Sequence, residues 1–350
     1  MNASRYLRNA WYMVCWARDL TADAPLAATV LEQPLVLYRT ADGRPVALED
    51  RCCHRLAPLS LGRVEGNDIR CLYHGLKFAA DGACCEMPGR ATPPQAMRVR
   101  AYPLIERYSG LFVWMGEAAR ADESLLPDFV GVDDPRWRML PGRMDYDADY
   151  TLIQDNLLDL SHVAWVHRNS FGAGDAARNQ AWAEGEVTIR ELPRGVRVTR
   201  WILSTPTPPR QQAQLGPHCD RWSSFDYLAP GFFLMRGAVF AAGSVAVRDD
   251  APPLHQAASR SFTAQAVTPL ARRRTAYHFA FGPAADEADA DTLQHAFHEL
   301  ALRAFAEDKT LIEAQQKIIN ADPSRSMLLF DVDKAPALYQ RVLQRLLADD

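Results

Sequence analysis

The pattern of apolar and polar positions changes texture along the chain. Up to about residue 120, apolar residues come in short runs separated by turn signals. Residues 10–14, 35–40, 45–49, 68–71, 76–78 and 111–116 each read as a strand. Asp42-Gly43 lies between the second and third of these, which is hairpin chemistry, and Asp81-Gly82 marks a further turn. A small antiparallel β domain is therefore expected over roughly 35–120. Residues 117–150, with their Ala, Asp, Glu and Pro, read as a linker. Helical periodicity then takes over at 152–166, with apolar residues at 152, 153, 157, 158, 160, 163 and 166. Alternation returns between 186 and 282, clearest at 186–189, 196–202, 231–235 and 277–281, and predicts a larger antiparallel sheet. A long helix over 292–320 and a shorter one over 335–347 follow. The expected class is α+β, with an all-β domain over 1–120 and a sheet-and-helix domain over 121–350.

Composition narrows the function classes. The chain has 350 residues, room for two domains, and its 48% hydrophobic and 23% charged content is that of a globular protein. A formal net charge of −4 with no basic block argues against nucleic acid or an anionic membrane as partner. No apolar run reaches the length of a membrane span, and residues 1–8 hold no apolar core of a secretory signal. The seven cysteines (15, 52, 53, 71, 84, 85 and 219) are odd in number and include two adjacent pairs, which does not suit a disulfide framework. Reduced thiols in the cytoplasm are expected, two of them recruited by metal.

The chemistry starts at Cys52-Cys53-His54, followed sixteen residues later by Cys71-Leu72-Tyr73-His74. Each loop offers one thiolate and one imidazole. Two Cys on one iron and two His on the other make a [2Fe-2S] cluster of mixed ligation. Zinc is the competing occupant, but zinc modules pair Cys with Cys and His with His in sequence. Adjacent residues cannot easily both reach one iron, so Cys53 is read as structural, as are Cys84 and Cys85. His54 and His74 are expected at the domain surface. On these residues the chain resembles the Rieske proteins. Their high-potential respiratory members carry a disulfide at the positions of Ala57 and Tyr73, so the resemblance is to the low-potential class.

A second constellation begins at Asn156 and runs through Asp159, His162 and His167. Residues 156, 159 and 162 share one face of a helix, whereas 162 and 167 converge only if the helix ends or distorts between them. Two His and one carboxylate form the facial triad of non-haem Fe(II) oxygenases. Asp308 is the best candidate for the carboxylate, because it shares its helix face with Ala301, Ala304, Phe305, Leu311, Ile312 and Gln315, and an acid on an apolar face needs a partner. Glu307 and Glu313 fall nearer the polar side.

Both constellations together, with the runs 8–12 and 307–315, resemble the Rieske non-haem iron oxygenases, and among them the branch of vanillate O-demethylase, dicamba O-demethylase and toluenesulfonate methyl-monooxygenase oxygenase components. The resemblance implies a helix-grip-like catalytic domain. It implies that Cys52 and Cys71 hold the inner iron of a Rieske [2Fe-2S] cluster and His54 and His74 the outer one, while His162, His167 and Asp308 hold a mononuclear Fe(II). Asp159 would bridge a cluster His of a neighbouring subunit to His162, with Asn156 in support. A homotrimer is implied, fed with NAD(P)H electrons by a separate flavin and iron–sulfur reductase. The activity implied is O2-dependent hydroxylation or O-demethylation of a small aromatic compound, an aromatic acid or related methoxy-arene. Ring dihydroxylation or a non-benzenoid substrate would use the same iron, and a Rieske protein that only carries electrons is the third reading. Trp222, Phe225, Tyr227, Leu234, Gln265, Tyr277 and Phe297 are the candidates for the substrate pocket. Relatives on aromatic acids often carry His near the position of Gln265, and Gln cannot become cationic.

Overall fold

The turn at Asp42-Gly43 closes a hairpin where the pattern predicts one. In a computed structural model, which describes residues 6–167, Ser170 and 176–350 (side chains of 176–179 excepted), strands Gln33–Arg39 and Pro45–Glu49 pair from Leu35↔Glu49 to Arg39↔Pro45. This hairpin belongs to the first of two units, formed among the described residues by 6–126, Thr268–Arg272 and Asp350. The second takes in the described residues of Pro127–Val267 together with Arg273–Asp349.

The first unit is built from three small antiparallel sheets. Leu26–Val30, the hairpin and Ala101–Tyr102 make one; Trp11–Trp16 and Leu104–Arg107 flank Gly110–Trp114 in another. The third joins Arg63–Glu65, Asp68–Arg70, Lys77–Phe78 and Cys84–Glu86. The first and third of these sheets share a core that holds Val36, Tyr38, Leu48, Ile69 and Phe78, and both Cys52 and Cys71 are part of it. All seven cysteines are free thiols.

A seven-stranded antiparallel sheet dominates the second unit. In spatial order its strands are Leu140–Tyr146, Arg274–Pro283, Ser259–Ala271, Phe232–Ala241, His218–Leu228, Gly195–Pro206 and Glu186–Leu192. The edge strand Leu140–Tyr146 lies inside the segment expected to be a linker. Pro141 and Gly142 disguise it, and the fold explains the glycine: a Cβ at residue 142 would meet the Phe279 ring at 2.3 Å. The helix expected over 152–166 is broken. It runs Tyr150–Leu158, stops at Asp159 (φ −114°, ψ 91°), and restarts as a tight turn, Leu160–His162, and a short helix, Val163–Val166.

The long helix Ala290–Ala321 is fastened beside it. Glu313 and Gln316 accept the backbone N–H groups of Asp147 and Asp149 at 2.9 and 2.8 Å, and the Tyr146 hydroxyl donates to the Phe305 carbonyl at 3.2 Å. These three bonds set the register of the long helix against the segment that carries Asn156. Helix Lys334–Ala348 completes the unit. No described helix is long and apolar enough to cross a membrane.

Candidate functional site: two ligand sets and a cavity

The two loops of the first unit are built alike. In one, the Cys52 N–H donates to the Ala57 carbonyl (2.8 Å) and the Leu56 N–H returns to the Cys52 carbonyl (2.9 Å). In the other, Cys71 N–H donates to Leu76 (2.8 Å) and Gly75 N–H returns to Cys71 (3.1 Å). The fifth residue of each loop has a left-handed backbone, Gly75 at φ +75° and Leu56 at φ +58°; only the second uses the residue that adopts it without strain. Arg70 braces the second loop by donating to the Gly75 carbonyl at 2.7 Å, and is itself held by Glu65 and Glu86.

Equal loops present equal donors. Cys52 and Cys71 are buried, whereas His54 and His74 are exposed, with ring centroids 4.5 Å apart. Burial, and then the neighbouring Cys71 thiol, push the Cys52 thiol up to about 11. Two thiols packed together inside a core become thiolates only against a metal charge. Inner sulfurs and outer imidazoles are the donor set of a two-iron cluster with unlike irons, and these residues fit it.

In the second unit, donor atoms of His162, His167 and Asp308 lie within 4.8 Å of one another. His162 Nε2 is 3.5 Å from Asp308 Oδ1, and His167 Nε2 is 3.4 Å from Asp308 Oδ2. The restart after Asp159 brings the two imidazoles together, with centroids 5.2 Å apart, and the short helix ends at His167. His162 Nδ1 faces the Asp159 backbone carbonyl at 2.5 Å, so this nitrogen carries the proton and Nε2 keeps its lone pair for a metal. Burial holds His162 below its ordinary pKa, against the pull of Asp308. For His167 burial is outweighed by Asp308 and Glu307, and its pKa is raised. Asn156 Nδ2 donates to Asp308 Oδ1 at 3.2 Å. Two imidazoles and one carboxylate on one side of a site match the facial set of non-haem iron.

Two residues behave differently from expectation. The Asp159 carboxylate caps the turn it starts, accepting from Ser161 N (2.8 Å) and Ser161 Oγ (3.0 Å), and its link to His162 runs through its backbone carbonyl. Glu307, assigned to the polar side, takes a hydrogen bond from His167 Nδ1 at 2.9 Å and another from Ser170 Oγ at 2.6 Å. Metal-ligating His usually passes its second N–H to such a carboxylate. The signal was there in part, since Glu307 shares a turn with Asp308, but its partner lies 140 residues away.

Asn156, His162, His167 and Asp308 border a cavity of about 420 Å³. Its walls are mainly apolar, with Leu157, Phe233, Met235, Phe281, Phe297 and Phe305 among them. Of the expected pocket residues, Gln265, Phe297 and Trp222 border it. Trp222 does so with its ring packed elsewhere, in a cluster with Trp201, Ala238, Phe240 and Val245. Phe225, Tyr227, Leu234 and Tyr277 do not line it. Phe225 stacks on Phe233 (4.7 Å), while Tyr227 lies edge-on to Tyr339 (4.8 Å) and Tyr277 edge-on to Phe305 (5.1 Å), so the cavity-facing rings Phe233 and Phe305 cover two of them. Alternation identifies which residues belong to a sheet face, not which are screened by a neighbour. Gln265 is 4% exposed, and its Oε1 has no partner among the described residues. Leaving such a group bare costs on the order of 1–3 kcal/mol.

Comparison with known proteins agrees with this geometry. Residues 10–103 match the Rieske [2Fe-2S] domain, and residues 146–349 match the vanillate O-demethylase oxygenase C-terminal domain. The chain is 35% identical to the iron-sulfur subunit of the toluene-4-sulfonate monooxygenase system of Comamonas testosteroni, covering 98% of this chain and 97% of that one. It is 32% identical to a vanillate O-demethylase oxygenase subunit of Pseudomonas sp., covering 97% and 95%. The structure of dicamba monooxygenase bound to 3,6-dichlorosalicylic acid is similar with a TM-score of 0.85 at 28% identity, covering 99% of this chain and 98% of that one. The chain thus belongs to the Rieske non-haem iron monooxygenases, among the oxygenase components with a vanillate O-demethylase type C-terminal domain.

Proposed function

We propose that this protein is the terminal oxygenase of a multicomponent system, taking NAD(P)H electrons from a separate flavin and iron–sulfur reductase to hydroxylate or O-demethylate a small aromatic compound. The observation that carries the reading is the convergence of His162, His167 and Asp308 on the wall of an apolar cavity of about 420 Å³. That volume and lining suit one substituted benzene ring.

In this reading Cys52, Cys71, His54 and His74 hold the [2Fe-2S] cluster, and His162, His167 and Asp308 hold Fe(II). When bound, the cluster supplies single electrons and the mononuclear iron supplies binding and activation of dioxygen. The protein's own part is to position and to exclude. The aromatic walls take the substrate ring out of water and keep its reactive carbon beside the ligand set. The Asp159 carbonyl fixes the His162 tautomer, Glu307 keeps the proton of His167 on Nδ1, and the Asn156 amide steadies one oxygen of Asp308. Asp159 is assigned the bridge to the cluster edge of a neighbouring subunit in a homotrimer. The exposure of Leu56, Leu72 and Tyr73, on the same two loops as His54 and His74, supports a docking role for that edge. Seven free thiols support a cytoplasmic location.

The test is turnover with a surrogate reductase and NADH on a panel of methyl- and methoxy-arenes. Formaldehyde release together with a phenol, or a hydroxylated methyl group, is expected for at least one member, with its oxygen derived from O2. Reduction of the cluster with no oxygenated product across the panel would favour a protein that only carries electrons.

A further inference from the structure

Alternation along two paired strands gives the large sheet a second lined face. Met235 and Gly237 on strand Phe232–Ala241, and Ser261 and Thr263 on strand Ser259–Ala271, border the cavity that holds the ligand set. Arg236 and Phe262 lie between them and pair in register, so their side chains point to the opposite face. There they border a second recess of about 340 Å³, whose walls all belong to the second unit. Gly237, Arg260 and Ser261 border both spaces, which lie back to back across the sheet.

The recess joins an apolar floor to cations. Phe262, 4% exposed, and Trp137 lie with ring centroids 5.4 Å apart, and Val130 and Leu254 border the same space. Arg136, Arg236 and Arg260 bring three guanidiniums, and no carboxylate borders the recess among the described residues. Two of the three are already paired, Arg136 with both oxygens of Asp134 (3.0 and 2.6 Å) and Arg260 with Asp286. Arg236 differs. It is exposed, and its guanidinium makes no hydrogen bond or ion pair among the described residues. Its cross-strand neighbours are Ser224 and Phe262, which carry no charge. Asp226, two places beyond Ser224 on the same face, is taken by two nitrogens of Arg197 at 2.6 and 2.7 Å. An unshared fork of N–H groups matches a planar or tetrahedral oxyanion, and the two rings match an arene. The volume admits one ring. A free inorganic anion would leave the rings uncovered, and a neutral arene would leave the fork unused.

We propose that this recess is a second ligand site, separate from the cavity beside His162, His167 and Asp308, and that it takes a small aromatic anion, a carboxylate or sulfonate on a single ring. Arg236 binds the anionic group, Arg136 and Arg260 add positive potential, and Trp137 and Phe262 cover the ring. The site stands independently of the oxygenase reading, and its test uses binding alone.

The experiment is isothermal titration of the metal-loaded full chain with benzenesulfonate, which stays anionic at any working pH, at fixed ionic strength. Inorganic sulfate and methyl phenyl sulfone are the controls, one without the ring and one without the charge. Wild type is expected to show a site that Arg236→Glu weakens by at least about tenfold, the loss of a charge-assisted hydrogen bond. Arg236→Lys, which keeps the charge but not the fork, should fall between the two. Trp137→Leu should weaken the same site while circular dichroism stays unchanged. Benzenesulfonate bound in the cavity beside the ligand set should be held equally by all four proteins, because these substitutions lie on the other face of the sheet. At the site that depends on Arg236, sulfate and the sulfone should each bind at least about tenfold more weakly than benzenesulfonate. The proposal is overturned if Arg236→Glu binds benzenesulfonate with the affinity and stoichiometry of wild type. It is overturned equally if either control binds that site as tightly as benzenesulfonate, or if wild type binds no benzenesulfonate at all.

Discussion

Glu307 is the residue that most changes the picture of the iron site. A helical wheel puts it off the buried stripe, and its identity as a ligand's partner depends on a contact made across the fold. By accepting from His167 Nδ1 it fixes which imidazole nitrogen faces Asp308. Glu307→Ala should weaken iron binding at the mononuclear site by about 10- to 100-fold, with labile sulfide unchanged, and Glu307→Gln should fall between it and wild type. Iron retention against a graded chelator measures this, and equal retention in all three proteins would remove Glu307 from the site. Acidity adds a sign. The metal-free His167 has a raised pKa and must lose its proton to bind metal, so wild-type loading should fall as pH drops through that value. Removing the Glu307 carboxylate should move the fall to lower pH. Cys52, His54, Cys71 and His74 could be singled out because ligand chemistry constrains residue type and spacing together, whereas the spacing of His162 and His167 makes sense only with the break after Asp159. Backbone partners such as the Asp159 carbonyl leave no trace in residue identity.

At the level of elements, the break at Asp159 matters more than the helices on either side. His162 and His167 are five positions apart, and an unbroken helix would point them away from each other. The Asp159 backbone N–H closes the end of the first helix on Asp155 and its carboxylate caps the restarted turn through Ser161, so one residue stands at both ends of the break. The preceding helix also holds a strained acid. Burial, with Asp333 nearby, raises Asp155 from 3.8 to about 6, while Gln340 works the other way. A folded-state pKa above the unfolded value means this group favours folding below about pH 4, and that contribution is lost as pH rises through about 6. Asp155→Asn should therefore raise the melting temperature at pH 8, by at most about 3 kcal/mol of stability, and the gain should vanish by pH 4. Parallel pH profiles for the two proteins would contradict this. Strand Leu140–Tyr146 was hidden from pattern reading because Pro141 and Gly142 are turn residues by composition. The Phe279 ring over Gly142 turns that composition into a requirement of packing.

For the molecule as a whole, the class was legible, and so was the first ligand set, because Cys52–His54 and Cys71–His74 form a local signature on loops that repeat one hydrogen-bond scheme. The triad instead joins His162, at the end of a tight turn, and His167, just after a short helix, to Asp308 on the long helix Ala290–Ala321. The cavity was less legible. Strands His218–Leu228 and Ser259–Ala271, near the middle of the large sheet, mix polar and apolar residues on the face that borders it, because a cavity wall needs Gln265 and Thr263 where a core would need aliphatics. One chain is expected to hold two different iron centres. Iron and acid-labile sulfide, counted per chain in wild type and in Asp308→Ala, test it most directly. Wild type should carry about three irons and two sulfides, and the variant about two of each. Zinc in place of iron, or equal iron in both proteins, would contradict it.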